Sequence, residues 1–398
     1  LALRRVVRRG LWDWRLQPDR HGAAGAAVSI AVVPEYKAAG STGSIILAGR
    51  DIKQMATKTT ISWTGFTWNP TRGCQRCSPG CEKCYAEGVA YRFSGPGLPY
   101  EGLVALGKHG PRWNGEGRFV PDALDVPLHW KNPRLIFVNS MSDLFFERFT
   151  FEEIAAIFGI MATCYWHTFQ VLTKRVGRAA EWFAWVKRQA ATVNGPGRSM
   201  SEAAFCLAMA QRACPDRKLA QNVEQTCAQP WPLPNVWIGA SVEDQKRADE
   251  RLPILANLPA AIRFVSYEPA LEFVDFGKWL QIPETECPKA EDGTHCEHWY
   301  DETDPCCFCG DNAKGLDWLI IGGESGHGAR PFDLAWARRV VAECVAVGVP
   351  VFVKQLGCVR VDSVNPDSLR YITAKKGDDP SDWPPELRRQ EFPEKPQA

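Results

Sequence analysis

After residue 55, two patterns of apolar and polar positions alternate along the chain. Short runs rich in β-branched and aromatic residues predict strands, and stretches with an apolar residue every three or four positions predict helices. The runs LIFV, FQVL and WLII are almost wholly apolar, which is typical of strands that are covered on both faces in a parallel sheet. The predicted strands are residues 59–63, 134–139, 168–173, 235–240, 263–267, 318–322 and 351–354.

Two of the predicted helices have clear start and stop signals. Thr150 and the glutamate three residues later form a capping box in front of an apolar stripe. Asp333 can cap a second helix, which ends at Gly348. The two stripes consist of Ile154, Ile157, Phe158 and Met161, and of Trp336, Val340, Cys344 and Val347. Residues 178–188 and 243–258 predict two further helices.

Strands that alternate with helices predict an α/β fold, either an open doubly wound sheet or a parallel β/α barrel. Neither GxGxxG nor GxxxxGK[ST] follows a predicted strand, so the nucleotide-binding versions of the open sheet lose support. Seven strands spread over about 300 residues fit a β/α barrel with insertions. We therefore predict a parallel β/α barrel of the TIM type, most simply a partial one.

The domain organisation follows from changes in composition. Residues 1–54 are rich in arginine and then in Ala, Gly, Ser and Val, and the first methionine is Met55. We interpret this segment as a non-native or disordered extension, with a basic nucleic-acid-binding tail or a targeting peptide as alternatives. The predicted barrel covers 55–370, with insertions over 191–234 and 281–315, and a C-terminal tail covers 371–398. Three widely spaced cysteines of the first insertion read as core or surface thiols: Cys206, Cys214 and Cys227.

Charge and cysteine content narrow the class of protein. The formal net charge is +1, so any binding of nucleic acid depends on a local patch. No apolar run approaches the roughly 20 residues of a membrane span, and we expect no membrane partner. The chain holds fifteen cysteines, too many in too large a chain for a disulfide-stabilised secreted domain. We therefore predict a cytoplasmic protein in which many thiols are metal ligands.

Polar residues follow the predicted strands, where a β/α barrel carries its chemistry. These residues predict a polar cavity that binds the cofactor, and ordinary loop polarity is the alternative. They are Asn139, Ser142, Asp143, Lys174, Arg175, Ser241, Glu243, Glu268, Glu324, Ser325, Lys354 and Gln355.

Four cysteines lie within eleven residues in the stretch GCQRCSPGCEKCYA: Cys74, Cys77, Cys81 and Cys84. Four nearby thiolates could bind zinc in a closed structural site or hold an iron–sulfur cluster. The last three have the spacing C-x3-C-x2-C, which resembles the signature of radical S-adenosylmethionine (SAM) enzymes. That resemblance implies a 4Fe-4S cluster with one iron left open to chelate SAM.

A wider resemblance extends from about residue 61 to residue 357, and into the tail. The blocks ISWTGFTWNPTRGC, SPGCEKCYAE, IFVNSMSDLF, FQVLTKR, LPNVWIGASVEDQ, RFVSYEP, LDWLIIGGESG and VFVKQLG are similar to a family of phages and bacteria. It is often called the phage-protein or three-cysteine-motif family and is commonly grouped with radical SAM proteins. Its usual C-x6-C-x2-C spacing implies Cys74, Cys81 and Cys84 as the cluster ligands. Cys77 is then an extra thiol or an alternative first ligand, and ligation by all four would argue against SAM cleavage.

The resemblance implies a radical-SAM-like iron–sulfur enzyme that cleaves SAM reductively and acts on an unidentified substrate. We hypothesise a nucleic acid or nucleotide substrate, an electron donor of the reductase or flavodoxin type, and Glu324 as the group that binds the SAM amino group. The main alternative is a non-catalytic zinc-binding protein that binds nucleic acid or a protein partner. An iron–sulfur protein that only senses redox state is a third interpretation.

A second group of cysteines lies in the acidic insertion 281–315, which has too few aliphatic residues to bury a core. Cys306 and Cys309 form a CxxC pair, and Cys287 and Cys296 could complete a tetrahedral site. We predict structural zinc here, because zinc can order a loop this polar. An auxiliary iron–sulfur cluster and unligated thiols are the alternatives.

Overall fold

The computed structural model describes residues 58–192, 200–214, 216–220, 223–280 and 315–394, together with the backbone of two N-terminal strands. Those strands are β1 (Leu3–Arg8) and β2 (Leu11–Leu16), which pair as an antiparallel hairpin. The sequence did not predict this hairpin. The rest of the predicted extension 1–54 lies outside the described residues, and the hairpin belongs to a unit, Leu1–Ala48, separate from the remainder.

The second unit contains the remaining strands and the helices. The strands are β3 (Phe66–Trp68), β4 (Thr71–Arg72), β5 (Val104–Gly107), β6 (Gly110–Trp113), β7 (Arg118–Phe119), β8 (Leu135–Val138), β9 (Thr168–Thr173), β10 (Val236–Val242), β11 (Ile262–Tyr267), β12 (Trp318–Gly322), β13 (Phe332–Asp333), β14 (Val351–Gln355) and β15 (Arg360–Val361). The α-helices are α1 (Tyr85–Arg92), α2 (Phe151–Thr163), α3 (Val176–Thr192), α4 (Glu202–Ala213), α5 (Val223–Cys227), α6 (Gln245–Ala256), α7 (Gly277–Leu280) and α8 (Leu334–Val347). Short 3-10 helices cover Pro79–Cys81, Pro121–Ala123, Val126–His129, Arg217–Ala220, Pro366–Tyr371, Pro380–Asp382 and Pro385–Leu387.

Seven strands form one sheet in the order β14-β12-β11-β10-β9-β8-β3, and every neighbouring pair is parallel. The spatial order follows the chain order, so the winding never reverses. A doubly wound sheet requires such a reversal, and that alternative is excluded. Within the described residues β3 and β14 remain the two edges. The sheet is therefore a partial parallel β/α barrel flanked by helices, as predicted.

Six of the seven predicted strands coincide with β8 to β12 and β14. The prediction of a strand over 59–63 is wrong, because the first strand of the sheet is β3. Trp63 lies in a turn, and its ring packs at 4.7 Å from that of Phe137 on the inner face of the sheet. The aromatic and β-branched residues of this stretch thus reflect burial and not strand pairing.

The predicted helix signals are confirmed. Thr150 Oγ1 accepts a hydrogen bond from the Glu153 amide, and the Glu153 carboxylate accepts one from the Thr150 amide, which closes the capping box of α2. Asp333 caps α8, and Gly348 ends it in the left-handed conformation with φ of 73°. Residues 178–188 and 243–258 fall on α3 and α6. No helix among the described residues combines the length and apolarity that a bilayer span needs.

The insertion 191–234 contributes to the core through α4, which packs on α2. The two helices approach most closely at Gly159, where an added Cβ would lie 2.2 Å from the Cys206 carbonyl oxygen. Of the three predicted core or surface thiols, Cys206 is buried, Cys214 is partly buried and Cys227 is exposed. The insertion is thus partly a structural layer of the barrel.

The C-terminal tail covers one edge of the sheet. The Val353 amide donates to the Arg389 carbonyl at 2.8 Å, and the Glu391 amide donates to the Val351 carbonyl at 3.1 Å. Residues 389–391 therefore pair with β14 in the manner of an added antiparallel strand. Edge strands with free backbone groups favour unwanted pairing between chains, and the tail prevents this on β14.

Alternate residues of each strand point to opposite faces of the sheet, and the two faces differ. The outer face joins the large core under the helices. The inner face carries a separate aromatic core at the amino-terminal end of the strands, formed by Trp63, Phe137, Trp237, Ile262, Phe264, Trp318, Ile320 and Phe352. Above this core, Gly239 has no room for a side chain, since its Cβ would lie 2.5 Å from the Phe264 ring. Packing thus closes the amino-terminal end and leaves the polar groups at the carboxyl end.

Candidate functional site

The four-cysteine loop lies between β4 and α1 and contains the 3-10 helix Pro79–Cys81. It begins at Gly73, whose φ is 87° and whose Cβ would lie 2.3 Å from the Glu116 carbonyl oxygen. Only glycine fits this position. Gly73 forms a parallel bridge with Ser142, and the Ser142 hydroxyl hydrogen-bonds Thr71 Oγ1 at 2.8 Å. The start of the loop is therefore fixed to the segment that follows β8.

The middle of the loop rests on the carboxyl ends of β9 and β10. An added Cβ on Gly80 would lie 3.2 Å from Lys174 Nζ and 3.2 Å from Glu243 Cδ. The Gly80 amide donates to Glu243 Oε1 at 3.4 Å. Lys174 and Glu243 directly follow β9 and β10. The backbone of the loop therefore touches the charged residues at the strand ends without an intervening side chain.

Arg175 holds the first part of the loop. Its Nη2 donates to the Gln75 carbonyl oxygen at 2.9 Å, and its Nη1 lies 4.0 Å from Cys74 Sγ. Asp143 orients this guanidinium through an ion pair of 3.2 Å. The same carboxylate accepts hydrogen bonds from the Thr173 hydroxyl at 2.7 Å and from a backbone amide at 3.0 Å. Asp143 thus connects the segment after β8 to the end of β9.

Arg330 holds the other side of the loop. Its Nη2 donates to the Pro79 carbonyl oxygen at 3.1 Å and to Glu324 Oε1 at 2.7 Å. Its Nη1 also pairs with the Glu82 carboxylate at 3.3 Å. Glu324 comes two residues after β12 and is buried. The loop is therefore clasped by basic side chains from opposite parts of the sheet.

A buried charge network lies beneath the loop. Lys174 Nζ is 2.6 Å from Ser241 Oγ and 3.3 Å from Glu243 Oε2, and Arg251 Nη1 is 3.0 Å from the same Glu243 oxygen. Burial alone would raise the pKa of Glu243, but the charges of Lys174 and Arg251 outweigh it and the pKa is lowered. Glu243 is therefore an ionised carboxylate between two cations.

A second ion pair lies at the ends of β11 and β14. Lys354 Nζ is 3.0 Å from Glu268 Oε1, and the Ser266 hydroxyl donates to Glu268 Oε2 at 3.1 Å. Gly322 on the neighbouring strand makes room for this carboxylate, since its Cβ would lie 2.6 Å from Glu268 Oε1. Acidic and basic groups therefore form ion pairs around the opening.

The four thiols have different surroundings. Cys74 and Cys84 pack against a small apolar cluster, and Cys77 is exposed. Burial raises the pKa of Cys74 to about 12 despite the nearby Arg175. A hydrogen bond from Cys77 lowers the pKa of Cys81. The apolar cluster consists of Ala86, Ala90, Tyr100, Leu103, Trp113 and Met141.

Asn139 directly follows β8 and is 2% exposed. Its φ is 61°, the only positive value of a non-glycine residue in the described part of the chain. Neither the oxygen nor the nitrogen of its amide has a hydrogen-bond partner among the described residues. A strained backbone and an unpaired buried amide both cost stability. Asn139 therefore combines two features that lower the stability of the fold at the carboxyl end of β8.

The structure brings the predicted strand-end residues together at one edge of the barrel. Asp143, Lys174, Glu243 and Glu324 contact the cysteine loop or the groups that clasp it, and Glu268 and Lys354 pair beside them. Ser142 has a different role, because it fixes the start of the loop. The second cysteine group lies outside the described residues, so the predicted zinc site at Cys287, Cys296, Cys306 and Cys309 stays a prediction.

Two arginines of the site were not predicted from the sequence. Arg251 lies on the buried stripe of α6 between Ala248 and Leu255, and a charged residue in an apolar stripe is a signal that could have found it. Arg330 lies in a glycine-containing loop six residues after Glu324. No periodicity marks such a position, and only the fold brings it to the cysteine loop.

Cys74, Cys81 and Cys84 are chemically suited to an iron–sulfur cluster. All three are free thiols in one short loop, and the charges of Cys81 and Cys84 add to the burial that raises the pKa of Cys74. Lys174 and Arg175 are close enough to affect the pKa values of Cys81 and Cys74. These cations would offset the negative charge that thiolates bring to a cluster. The donor set therefore fits the group that the sequence predicts.

In the described residues, one group of side chains has ligand atoms within 4.8 Å of one another, namely Asp125, His129 and Asp216. The thiolates that hold an iron–sulfur cluster bind different irons and lie farther apart than the ligands of a single ion. A limit of 4.8 Å between ligand atoms therefore does not test whether the cysteine loop can hold a cluster. Lys218 Nζ is 2.7 Å from His129 Nδ1, and His129 Nε2 is 3.1 Å from the Asp125 carboxylate. The imidazole is thus engaged on both nitrogens, and we assign no metal there.

A family model described as "Protein of unknown function (DUF5131)" matches residues 58–379. The match begins where the described part of the second unit begins, and it includes the cysteine loop and all seven strands of the sheet. Among the curated proteins and the solved structures, no match to the chain is found.

Proposed function

We propose that this chain, which belongs to the DUF5131 family, is an iron–sulfur enzyme that cleaves SAM reductively. The observation that carries the proposal is the position of the cysteine loop. Basic side chains clasp it to the carboxyl edge of a partial parallel β/α barrel, where barrel enzymes carry their chemistry. The resemblance to the phage and bacterial three-cysteine-motif family agrees with this position.

The surroundings of the thiols favour Cys74, Cys81 and Cys84 as the ligands. Cys74 lies beside Arg175 and an apolar cluster that excludes water, and Cys77 lies on the exposed side of the loop. A cluster bound from the buried side leaves Cys77 outside the ligand set. Three protein ligands on a 4Fe-4S cluster would leave one iron open for SAM, to which the reduced cluster supplies an electron.

The chain's own residues bind and orient the cofactor in this proposal. Glu324 and Arg330 are adjacent groups of opposite charge, which complement the amino and carboxylate groups of the amino-acid part of SAM. Lys174 and Arg175 balance the charge of the thiolates. The packed aromatic core beneath excludes water from below, and the protein's role is orientation and exclusion.

The substrate in this proposal enters from the open side, above the Lys354–Glu268 pair. A nucleic acid or nucleotide remains our hypothesis for its class, and a reductase or flavodoxin-type protein for the electron donor. Asn139 follows β8 at the same carboxyl edge, and its buried amide has no partner among the described residues; in this proposal the amide pairs with a polar group of the bound ligand.

The test is anaerobic purification followed by measurement of iron, sulfide and zinc and of 5'-deoxyadenosine formed from SAM with dithionite. We expect iron and sulfide, with formation that depends on reductant. Cys74→Ala should lose iron and lower the rate by more than about 100-fold, since loss of a ligand exceeds the usual 10- to 100-fold effect of its supporting groups. The matched variant Cys77→Ala should keep both.

Three results would contradict the proposal. Zinc without iron would favour the non-catalytic zinc-binding protein. Iron and sulfide without any 5'-deoxyadenosine, in the parent chain and in Cys77→Ala alike, would favour a redox sensor. Equal loss of iron in Cys74→Ala and Cys77→Ala would show that all four thiols bind the cluster.

A further inference from the structure

Exposed aromatic rings are concentrated beside the cysteine loop. Of the six exposed Tyr and Phe side chains in the described residues, three lie within nine positions, on α1 and directly after it. Tyr85 is 60% exposed, Tyr91 42% and Phe93 43%. Scattered exposed rings are ordinary, but a group of this kind marks a surface that binds something.

Exposed cations occur in the same part of the chain as these rings. Lys83, Arg92, Lys108 and Arg112 are exposed, and within the described residues none of them forms an ion pair. Lys108 and Arg112 belong to the β5–β6 hairpin, which packs on α1. We call residues 83–113, which comprise α1 and this hairpin, the α1 lobe. Its exposed surface therefore combines rings with free positive charge.

The geometry of α1 separates a packed side from an open side. Ala86, Glu87 and Ala90 are buried, and the helix repeat places Tyr85, Gly88 and Arg92 on the other side. A Cβ added to Gly88 would meet no atom within 4 Å. Tyr85 and Arg92 are about 10 Å apart along the helix axis. Between the ring and the guanidinium, the backbone at Gly88 is open to close approach.

Tyr85 connects this surface to the candidate site. Its hydroxyl donates to the Ser140 carbonyl oxygen at 2.7 Å, one residue after Asn139. A ring that is largely exposed and yet hydrogen-bonded to the segment after β8 lies at the carboxyl edge of the sheet. The rings therefore begin at the site and extend outwards.

We propose that the α1 lobe binds single-stranded nucleic acid and leads it to the site. Bases stack on aromatic rings without regard to sequence, and cations between the rings follow the phosphates. A duplex hides the faces of its bases, so rings on an open surface favour a single strand. Single-stranded nucleic acid would be the substrate class of the proposed enzyme. The binding itself does not depend on the proposed function, and only the reaction that follows binding rests on it.

The experiment measures anisotropy of fluorescein-labelled 12-nucleotide DNA and RNA, single-stranded and duplex, with the full chain in the absence of SAM and reductant. We expect both single strands to bind more tightly than the duplexes. Tyr91→Ala should weaken binding about 30-fold, the middle of the range for one lost stacking ring. Arg92→Gln should lower the slope of log affinity against log salt by about 0.7.

Matched controls come from α3 and the turn after α2. Tyr165 is 45% exposed, and Lys187 is exposed and forms no ion pair with any described residue, so Tyr165→Ala and Lys187→Gln should leave affinity and slope unchanged. Circular dichroism confirms that each variant is folded.

Three results would overturn the inference: equal losses in the controls, preference for duplex, or no binding to any nucleic acid. The last would point to a protein partner for the same surface. None of them bears on iron content or 5'-deoxyadenosine formation, so the failure of this inference is distinguishable from the failure of the proposed function.

Discussion

In the proposed function, Asn139 has a binding role at the expense of stability. Its buried amide is unpaired and its φ is positive, and each feature costs free energy of folding. A side chain with neither feature would pack there at lower cost. Its position directly after β8, beside the residue that Tyr85 contacts, agrees with the binding role that we propose for the amide.

Two substitutions of Asn139 separate the effect of backbone strain from the effect of losing the amide. Both Asn139→Gly and Asn139→Ala remove the amide, but only glycine adopts the positive φ without strain. We expect the glycine variant to be more stable than the alanine variant by about 1 kcal/mol, as measured by urea unfolding.

Both variants should lose turnover, since both lack the amide. Equal stability of the two variants, or full turnover in either, would contradict this account of Asn139.

The candidate residues that follow strands could be predicted from the sequence, because the carboxyl ends of parallel strands share one edge. Lys174, Glu243 and Glu268 directly follow their strands. Their partners could not be predicted in the same way. Arg330 reaches Pro79 across 251 residues of chain, and only the closed geometry of the loop brings them together.

At the scale of elements, β10 contributes to both hydrophobic cores and leads to the polar network at its carboxyl end. Its outer residues join the core under the helices, and Trp237 joins the inner aromatic core. Gly239 then allows the Phe264 ring to cross the strand. The strand ends at the polar network of Glu243.

Two glycine-to-alanine substitutions have opposite expected effects, one through packing at Gly239 and the other through helix propensity at Gly88. Gly239→Ala should destabilise the protein by about 1–3 kcal/mol, because its Cβ would lie 2.5 Å from the Phe264 ring. Gly88→Ala on α1 should stabilise it by up to about 1 kcal/mol, because the Cβ meets nothing and alanine favours the helix.

Denaturant midpoints of the two variants and the parent chain measure the difference. A neutral Gly239→Ala would show that the inner aromatic core can shift, contrary to the packing described above.

Element predictions succeeded where burial and periodicity agree. The strands β8 to β12 are covered on both faces and read as apolar runs, and α2 and α8 carry their caps in the sequence. The β5–β6 hairpin was not predicted, because its residues are mixed in polarity and its pairing depends on α1. Residues 59–63 were predicted as a strand because their apolar residues are partly or fully buried by tertiary contacts, although they do not pair with another strand.

At the scale of the whole molecule, folding keeps His167 neutral. The imidazole is 1% exposed, packs among Trp130, Trp166 and Phe169, and hydrogen-bonds the Pro127 carbonyl oxygen at 3.2 Å. Burial lowers the pKa of His167 from its ordinary 6.5 to about 4, and Arg134 adds to the effect. The unfolded chain therefore takes up a proton at a pH where the folded chain does not.

Stability should consequently fall as pH decreases from 6.5 towards 4, where the folded protein also becomes protonated. Between pH 7.5 and pH 5 this one group contributes a loss of up to about 2 kcal/mol. His167→Gln keeps an N–H near the Pro127 carbonyl and removes the titration, so its unfolding free energy should depend less on pH.

Urea unfolding of both proteins at the two pH values provides the comparison. Identical pH dependence in the parent chain and in His167→Gln would show that other groups cause the acid loss.

The order of the seven strands was implicit in the alternation of strands and helices, because each crossover returns to the next position in the sheet. Its incomplete closure was predicted as well, but the cover on its β14 edge was not, since that cover depends on contacts distant in sequence. The strip of residues 389–391 along β14 is such a contact.

That strip has a practical consequence for anyone who shortens the chain. The family match ends at residue 379, and a protein trimmed to that boundary would lack the segment that pairs with Val351 and Val353. Its outermost strand would then present free amides and carbonyls to any other copy in solution. Trimming at the family boundary would thus leave β14 uncovered and produce oligomers or precipitate. The cysteine loop and the residues at the strand ends would all be retained in the shortened protein.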